Sequence, residues 1–141
     1  LFGEIFLSND NKACALIVYP DKKKTTLKSI SLDLKLIFQC VGIGNIMKTL
    51  KREKLINSLH PKAPFSYLWF IGVAPEDQNK GAGSKLLQSV LDYSDQQNRP
   101  VYLETSTVRN LPWYDKFGFQ SYHEEYLTYH LYFFSRAVKN Q

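Results

Sequence analysis

The stretch Val73–Leu87, VAPEDQNKGAGSKLL, joins a strand-like segment to a helix-like one through a loop that contains two glycines. The preceding residues 65–73 are almost wholly apolar and rich in aromatic and β-branched types, which predicts a central strand buried on both faces. After the loop, apolar or small residues recur at helical spacing and predict a helix with one face packed on a sheet. The residues of that face are Leu86, Leu87, Val90 and Leu91, extended by Gly83 and Ser94.

The loop itself has the composition of an anion-binding turn. Residues 78–84 lead into the positive end of the helix, where successive backbone N–H groups can point toward one ligand. Gly81 and Gly83 have no Cβ that would hold a phosphate away from the backbone, and Lys80 and Lys85 add positive charge. The sequence therefore predicts a phosphate site here, with an ordinary glycine-containing turn as the alternative.

Two blocks of the chain resemble the signature of the GNAT superfamily of N-acetyltransferases. Gln78–Gly83, QNKGAG, resembles the Q/R-x-x-G-x-G/A loop of that family. Tyr102–Thr105, Asn110 and Tyr114–Phe119 resemble its second block in order and spacing. The resemblance is specific over about residues 65–120 and implies an α/β (α+β) fold, in which a mixed, mostly antiparallel sheet has a central parallel strand pair and flanking helices.

The same resemblance implies where acetyl-CoA binds. In the family the loop holds the pyrophosphate. By the same resemblance, the backbone N–H of Val73 would polarise the thioester carbonyl, and Asn110 would bind the pantetheine arm. Tyr114 matches the family's general acid in position. A phenol with a pKa near 10 stays protonated at neutral pH and can give its proton to a departing thiolate. A packed core aromatic is the alternative role. The residues implied in cofactor binding are Ile71, Val73, Gln78, Asn79, Lys80, Gly81, Ala82, Gly83, Ser84, Asn110 and Tyr114.

A general base is harder to assign. Members of the family often carry a glutamate on the strand before the loop, whereas residues 67–73 contain no carboxylate. Glu104, in the next predicted strand, is the candidate base. The alternative is a structural hydrogen bond from nearby backbone N–H groups or Arg109 to Glu104, with water as the base.

The resemblance implies direct transfer of an acetyl group to a primary amine while both substrates are bound, with no metal. The acceptor is expected to be a small molecule. A non-catalytic module of the same fold, which binds CoA or another partner, is the alternative, because the carboxylate before the loop is missing.

Composition predicts one globular domain over residues 1–141. Eighteen basic and thirteen acidic residues give a formal charge of +5, which suits an anionic ligand but is too diffuse to predict nucleic-acid binding. Cys14 and Cys40 match neither a disulfide framework nor a metal spacing, which predicts reduced, buried thiols in an intracellular protein and so a cytoplasmic location. No apolar run is long enough for a membrane span, so membrane contact is not favoured, and a monomer or homodimer is expected.

The first part of the chain predicts a hairpin followed by two helices. Residues 1–8 and 13–19 read as strands around a polar turn. Residues 27–41 fit both helical and strand spacing, and helix is preferred, while Ile46–Leu59 predicts a second helix. The family pattern begins with a strand and one or two helices ahead of such a hairpin, so that beginning is expected to be missing from this sequence. The 27–59 insertion could form a lid over the acceptor site or touch a membrane surface.

The last part predicts a strand, a short helix and a hairpin. Residues 101–106 form a strand parallel to residues 65–73, because a helix connects the two. A short helix runs from about Asn110 and stops at Gly118. Residues 119–122 and 126–134 then pair as a closing aromatic hairpin, with His123–Glu125 as its turn.

Overall fold

The computed structural model describes residues 2–23 and 46–139. The chain forms two compact units, residues 1–22 with 63–141 and residues 23–62, each of which is described by itself. In the second unit, α1 (Ile46–Leu59) confirms the predicted helix, whereas the helix predicted over residues 27–41 falls outside the described residues. No helix within the described ranges is long and apolar enough to cross a membrane.

The first unit is built on a six-stranded sheet in the order β1-β2-β3-β4-β6-β5. Only β3 and β4 run parallel, and the other neighbouring pairs are antiparallel. The predicted fold class and central parallel pair are therefore confirmed. The strands are β1 (Gly3–Leu7), β2 (Ala13–Val18), β3 (Ser66–Val73), β4 (Val101–Thr105), β5 (Gln120–Tyr126) and β6 (His130–Arg136), and the helices of this unit are α2 (Ala82–Gln96) and α3 (Leu111–Lys116).

Helix α2 supplies the main apolar layer against the sheet. Its predicted face is buried, from Leu86 through Ser94, and packs with alternating residues of the strands such as Ile17 and Leu103. Burying such side chains contributes roughly 1.5–3 kcal/mol each. This layer fixes the start of α2, and with it the preceding loop, at one end of the sheet.

The prediction for residues 65–73 is confirmed in position and wrong in burial. β3 is internal to the sheet, and Ser66 and Leu68 are buried, but Trp69 is 63% exposed and Phe70 is 48% exposed. The β2–β3 register skips Trp69, and such a bulge turns successive side chains to the outside. The apolar composition alone did not reveal the bulge.

The closing hairpin forms, but its predicted turn is wrong. His123–Glu125 lie inside β5, and the chain turns at residues 127–129 instead. β5 is an edge strand, where charged side chains can reach water, so these polar residues do not interrupt it.

Candidate active site

The candidate site lies where β3 and β4 separate. Their parallel register ends at the pair Tyr67 and Tyr102, although β3 continues to Val73 and β4 to Thr105. The two strands therefore open a cleft at their carboxyl ends, the usual place for a ligand in a parallel pair.

Backbone N–H groups of β3 point into this cleft. On the side of β2, the N–H of Ala74 donates to the carbonyl of Lys12 at 2.8 Å. Hydrogen-bonded and non-hydrogen-bonded pairs alternate along an antiparallel ladder, so the N–H groups of Ile71 and Val73 face away from β2. The N–H of Val73 is therefore available to a ligand in the cleft, and its carbonyl-polarising role stays a prediction.

The loop between β3 and α2 presents the uncapped start of a helix. Asn79 and Gly81 have left-handed backbone angles, with φ of 62° and 87°. Gly81 is the N-cap of α2, and no side chain makes a capping hydrogen bond there. The N–H groups of the first turn, residues 82–84, have no partner within the helix. An anion in the cleft could accept hydrogen bonds from these groups.

Glycine is required at positions 81 and 83 of the loop for two different structural reasons. A Cβ at Gly81 would meet nothing within 4 Å, but φ of +87° makes any other residue strained. A Cβ at Gly83 would lie 3.1 Å from Val73 Cγ2 and 3.8 Å from Trp113. Gly83, which the sequence placed on the packed face of the helix as well as in the phosphate loop, therefore lets α2 approach β3.

The lysine charge expected at the loop is offset by a carboxylate. Asp77 pairs with Lys80 at 3.1 Å and with Lys12 of the β1–β2 hairpin at 3.1 Å. Hydrogen bonds from these ammonium groups hold the pKa of Asp77 below its usual value, and the bond from Lys80 has the larger effect. The network ties the hairpin to the loop, while it reduces the net positive charge that Lys80 brings.

Most of the predicted binding residues line one groove of about 710 Å³. Lys80, Ala82 and Tyr114 are not among its lining residues, whereas Gly72, Arg109 and Trp113 line it without having been predicted. Gly72, Arg109 and Trp113 each adjoin a predicted residue in the sequence, and this adjacency is the signal that could have identified them. The predicted residues in the lining are Ile71, Val73, Gln78, Asn79, Gly81, Gly83, Ser84 and Asn110.

Two side-chain hydrogen bonds hold the groove walls. Gln78 Nε2 donates to the carbonyl oxygen of Val73 at 3.3 Å, which links the loop back to β3. Trp113 Nε1 donates to Ser84 Oγ at 3.0 Å, which links α3 to the first turn of α2. Asn110, at the N-cap of α3, makes no capping hydrogen bond through its side chain.

Tyr114 lies on α3 with its ring in the core. It is 5% exposed and packs against Phe119 and Phe134, with ring centroids 5.6 and 5.9 Å away. Burial raises the pKa of the Tyr114 phenol to about 12. The hydroxyl therefore keeps its proton at neutral pH, as an acid or a packed aromatic would.

Glu104 lies on the face of β4 opposite α2, among tyrosines. The Tyr67 hydroxyl donates to Glu104 Oε2 at 2.6 Å across the β3–β4 pair. Tyr102 and Tyr122 are adjacent, with ring centroids 5.7 Å apart. Burial, with the charge of Glu104 as a smaller cause, raises the pKa of Tyr122. The sequence suggested Arg109 or backbone N–H groups as structural partners, and did not identify Tyr67.

Comparison of the sequence with protein-family models gives a match over more than half of the chain. The profile of the "Acetyltransferase (GNAT) family" matches residues 39–119. An uncharacterised N-acetyltransferase of Schizosaccharomyces pombe is 40% identical over 62 residues. That alignment covers 44% of this chain and 25% of the yeast protein, so the chain matches about a quarter of its relative.

Solved structures share the fold at low sequence identity. A histone acetyltransferase HPA2 and related acetyltransferase from Corynebacterium glutamicum aligns over 100% of this chain and 68% of its own, with 16% identity and a TM-score of 0.59. The NatC complex bound to Gag peptide and CoA aligns over 93% of this chain and 64% of its own, with 13% identity and a TM-score of 0.58. These likenesses establish the architecture of the sheet and its helices.

Proposed function

Because the chain belongs to the GNAT family of acetyltransferases, we propose that it binds acetyl-CoA in the groove and transfers the acetyl group to a primary amine of a small molecule. The observation that carries this proposal is the uncapped start of α2 facing a groove beside the diverging strands. Helix N-termini of this kind bind phosphate groups.

The groove residues fit a pyrophosphate. The N–H groups of residues 82–84 have no intrahelical partner, and the Cβ position of Gly81 is open. The backbone N–H groups of the loop would donate hydrogen bonds to the pyrophosphate oxygens. Trp113 Nε1 donates to Ser84 Oγ at 3.0 Å and holds Ser84 in place. Asn110, which lines the other wall, would bind the pantetheine arm.

Acetyl-CoA supplies the acetyl group as a thioester, and the amine attacks it directly in the ternary complex. The N–H of Val73 faces the cleft and would donate to the carbonyl oxygen, where such donors stabilise developing charge. Tyr114 holds a proton, since burial raises its pKa to about 12, and would donate it from its hydroxyl to the departing sulfur.

Glu104 is the proposed base for the acceptor ammonium. It lies where β3 and β4 begin to separate, and the 2.6 Å hydrogen bond from Tyr67 orients its carboxylate. A carboxylate bordered by tyrosine rings suits a small ammonium ion, since the rings can contact the cation. Glu104 would take the proton through its carboxylate before or during attack.

Release of CoA thiol over a panel of amines tests this function. The panel contains small primary amines and, separately, peptides with a free amino terminus. We expect thiol release and acetylated product with at least one small amine, and initial-velocity lines that intersect, as direct transfer in a ternary complex requires. Acetyl-CoA binding without turnover on any acceptor would favour the non-catalytic module, and turnover on peptides alone would contradict the small-molecule acceptor.

A further inference from the structure

The cations around the groove differ in how far their charge is already compensated. Lys12 and Lys80 share the carboxylate of Asp77, each at 3.1 Å. A ligand phosphate must compete with Asp77 for either ammonium group. These two lysines therefore bring less positive charge to a ligand than unpaired cations would. Lys85, which is exposed on α2, forms no ion pair within the described residues and does not line the groove.

Arginines in the core are also paired. Arg99 binds Asp21 through two nitrogens at 2.9 and 2.6 Å, and Arg136 binds Asp95 through two nitrogens, both at 2.9 Å. These pairs hold the first unit together and leave the guanidinium groups engaged. Neither arginine lines the groove.

Arg109 differs from both sets. It lies on the short 3-10 turn Val108–Asn110 that follows β4, is exposed, and lines the groove together with the loop. Within the described residues no carboxylate forms an ion pair with it. Its guanidinium therefore brings an uncompensated positive charge to the groove wall formed by the β4–α3 connection.

We infer that Arg109 binds a phosphate group of acetyl-CoA and so determines affinity for the phosphorylated cofactor. The inference rests on the proposed function. A guanidinium presents paired N–H donors that match phosphate oxygens, which a lysine ammonium does not. The phosphate is either the 3′-phosphate of the adenosine or the pyrophosphate reached from the wall opposite the α2 terminus, and both offer the same oxygens.

Calorimetric titration of Arg109→Gln with CoA and with 3′-dephospho-CoA tests the inference without turnover. Lys116→Gln is the matched control, because Lys116 is exposed on α3 but does not line the groove. We expect Arg109→Gln to weaken CoA binding by at least about fivefold and Lys116→Gln by less than about twofold. Arg109→Lys should recover only part of the loss, since it keeps the charge and loses the paired donors.

The two cofactors then identify the phosphate. If the loss disappears with dephospho-CoA, Arg109 binds the 3′-phosphate; if it persists, Arg109 binds the pyrophosphate. CoA affinity unchanged in a folded Arg109→Gln protein would overturn the inference while leaving the proposed function intact, as would an equal loss in the Lys116 control. Failure of the unsubstituted protein to bind CoA at all would overturn the proposed function itself.

Discussion

Single side chains in this site serve packing and chemistry at once. Tyr114 is the clearest case, because its ring fills the core while burial raises its pKa to about 12. The same burial that stabilises the fold keeps the proton on the oxygen. Substitutions that separate the ring from the hydroxyl can therefore distinguish the two roles.

Tyr114→Phe should lower turnover at saturating substrates by at least tenfold and leave acetyl-CoA affinity within about twofold, because an acid acts only as the thiolate leaves. Melting temperature should change little, since the ring is retained. Tyr114→Ala should instead destabilise the protein by roughly 3–5 kcal/mol through the cavity it leaves. A fully active Phe variant would show that Tyr114 is a packing residue only.

Glu104→Gln should reduce turnover by about a hundredfold or more, the usual range for loss of a general base, with acetyl-CoA affinity unchanged. Tyr67→Phe removes the hydrogen bond to Glu104 at 2.6 Å and should lower turnover by less than Glu104→Gln does, because the carboxylate is kept but loses the group that orients it. Glu76→Gln, on the exposed loop, is the control. An unaltered rate and pH profile in Glu104→Gln would leave water as the base.

Gly83→Ala should destabilise the fold by about 1 kcal/mol, because the new Cβ would lie 3.1 Å from Val73 Cγ2 and the Val73 side chain would have to shift. Gly81→Ala faces no contact but a φ of +87°, which costs roughly 1–2 kcal/mol of strain. Denaturant unfolding measures both. Unchanged stability in Gly83→Ala would contradict the close approach of α2 to β3.

At the scale of elements, ion pairs between residues far apart in sequence hold the C-terminal end of α2 and the connection that follows it. Near its end, Asp95 binds Arg136 of β6 through two hydrogen bonds at 2.9 Å, across 41 residues of sequence. The connection after α2 is anchored by Arg99, which binds Asp21 across 78 residues. The helix α2 itself could be predicted, because the spacing of its apolar residues is visible within a few positions of the sequence. These anchors could not be predicted, because nothing local indicates which carboxylate a distant arginine will meet.

Arg136→Gln should destabilise the protein by roughly 3 kcal/mol at neutral pH, because it leaves the largely buried carboxylate of Asp95 without its partner. Arg136 holds the pKa of Asp95 below its unfolded value. The stabilisation is therefore present above the unfolded pKa, near 4, and is lost as pH falls through the lower folded pKa.

Urea unfolding at pH 7 and at progressively lower pH measures this effect. The stability difference between the two proteins should shrink only below about pH 4. The double variant Asp95→Asn with Arg136→Gln should be more stable than Arg136→Gln alone. A pH-independent difference, or equal single and double variants, would show that the ion pair contributes little.

At the scale of the whole molecule, the site depends on how two strands diverge, and this limited what sequence could predict. The loop residues and Asn110 were predicted because they belong to contiguous motifs. Arg109 and Trp113 were missed, because the conformation of the turn after β4 decides which of its residues line the groove. The bulge at Trp69 and the turn of the last hairpin were missed because apolar and polar composition do not fix register. A single domain over residues 1–141 stays a prediction.

Net charge is a weak guide to the groove. The chain carries +5 overall, yet Lys12 and Lys80 beside the loop share the carboxylate of Asp77, which offsets one of their two charges. Affinity for the cofactor should therefore depend mainly on backbone N–H groups and on Arg109. Salt should weaken binding modestly, because only the few charges at the groove are involved.

Binding of acetyl-CoA by the backbone of the loop and of β3, as proposed, can be followed directly through amide chemical shifts. A ¹H–¹⁵N titration of this 141-residue chain with CoA follows the N–H groups individually. We expect the largest saturable shifts at residues 79–84 and at Ile71 and Val73, with smaller changes at the hairpin β5–β6. Saturable binding with unshifted amides at residues 79–84, or no binding at all, would contradict the proposal.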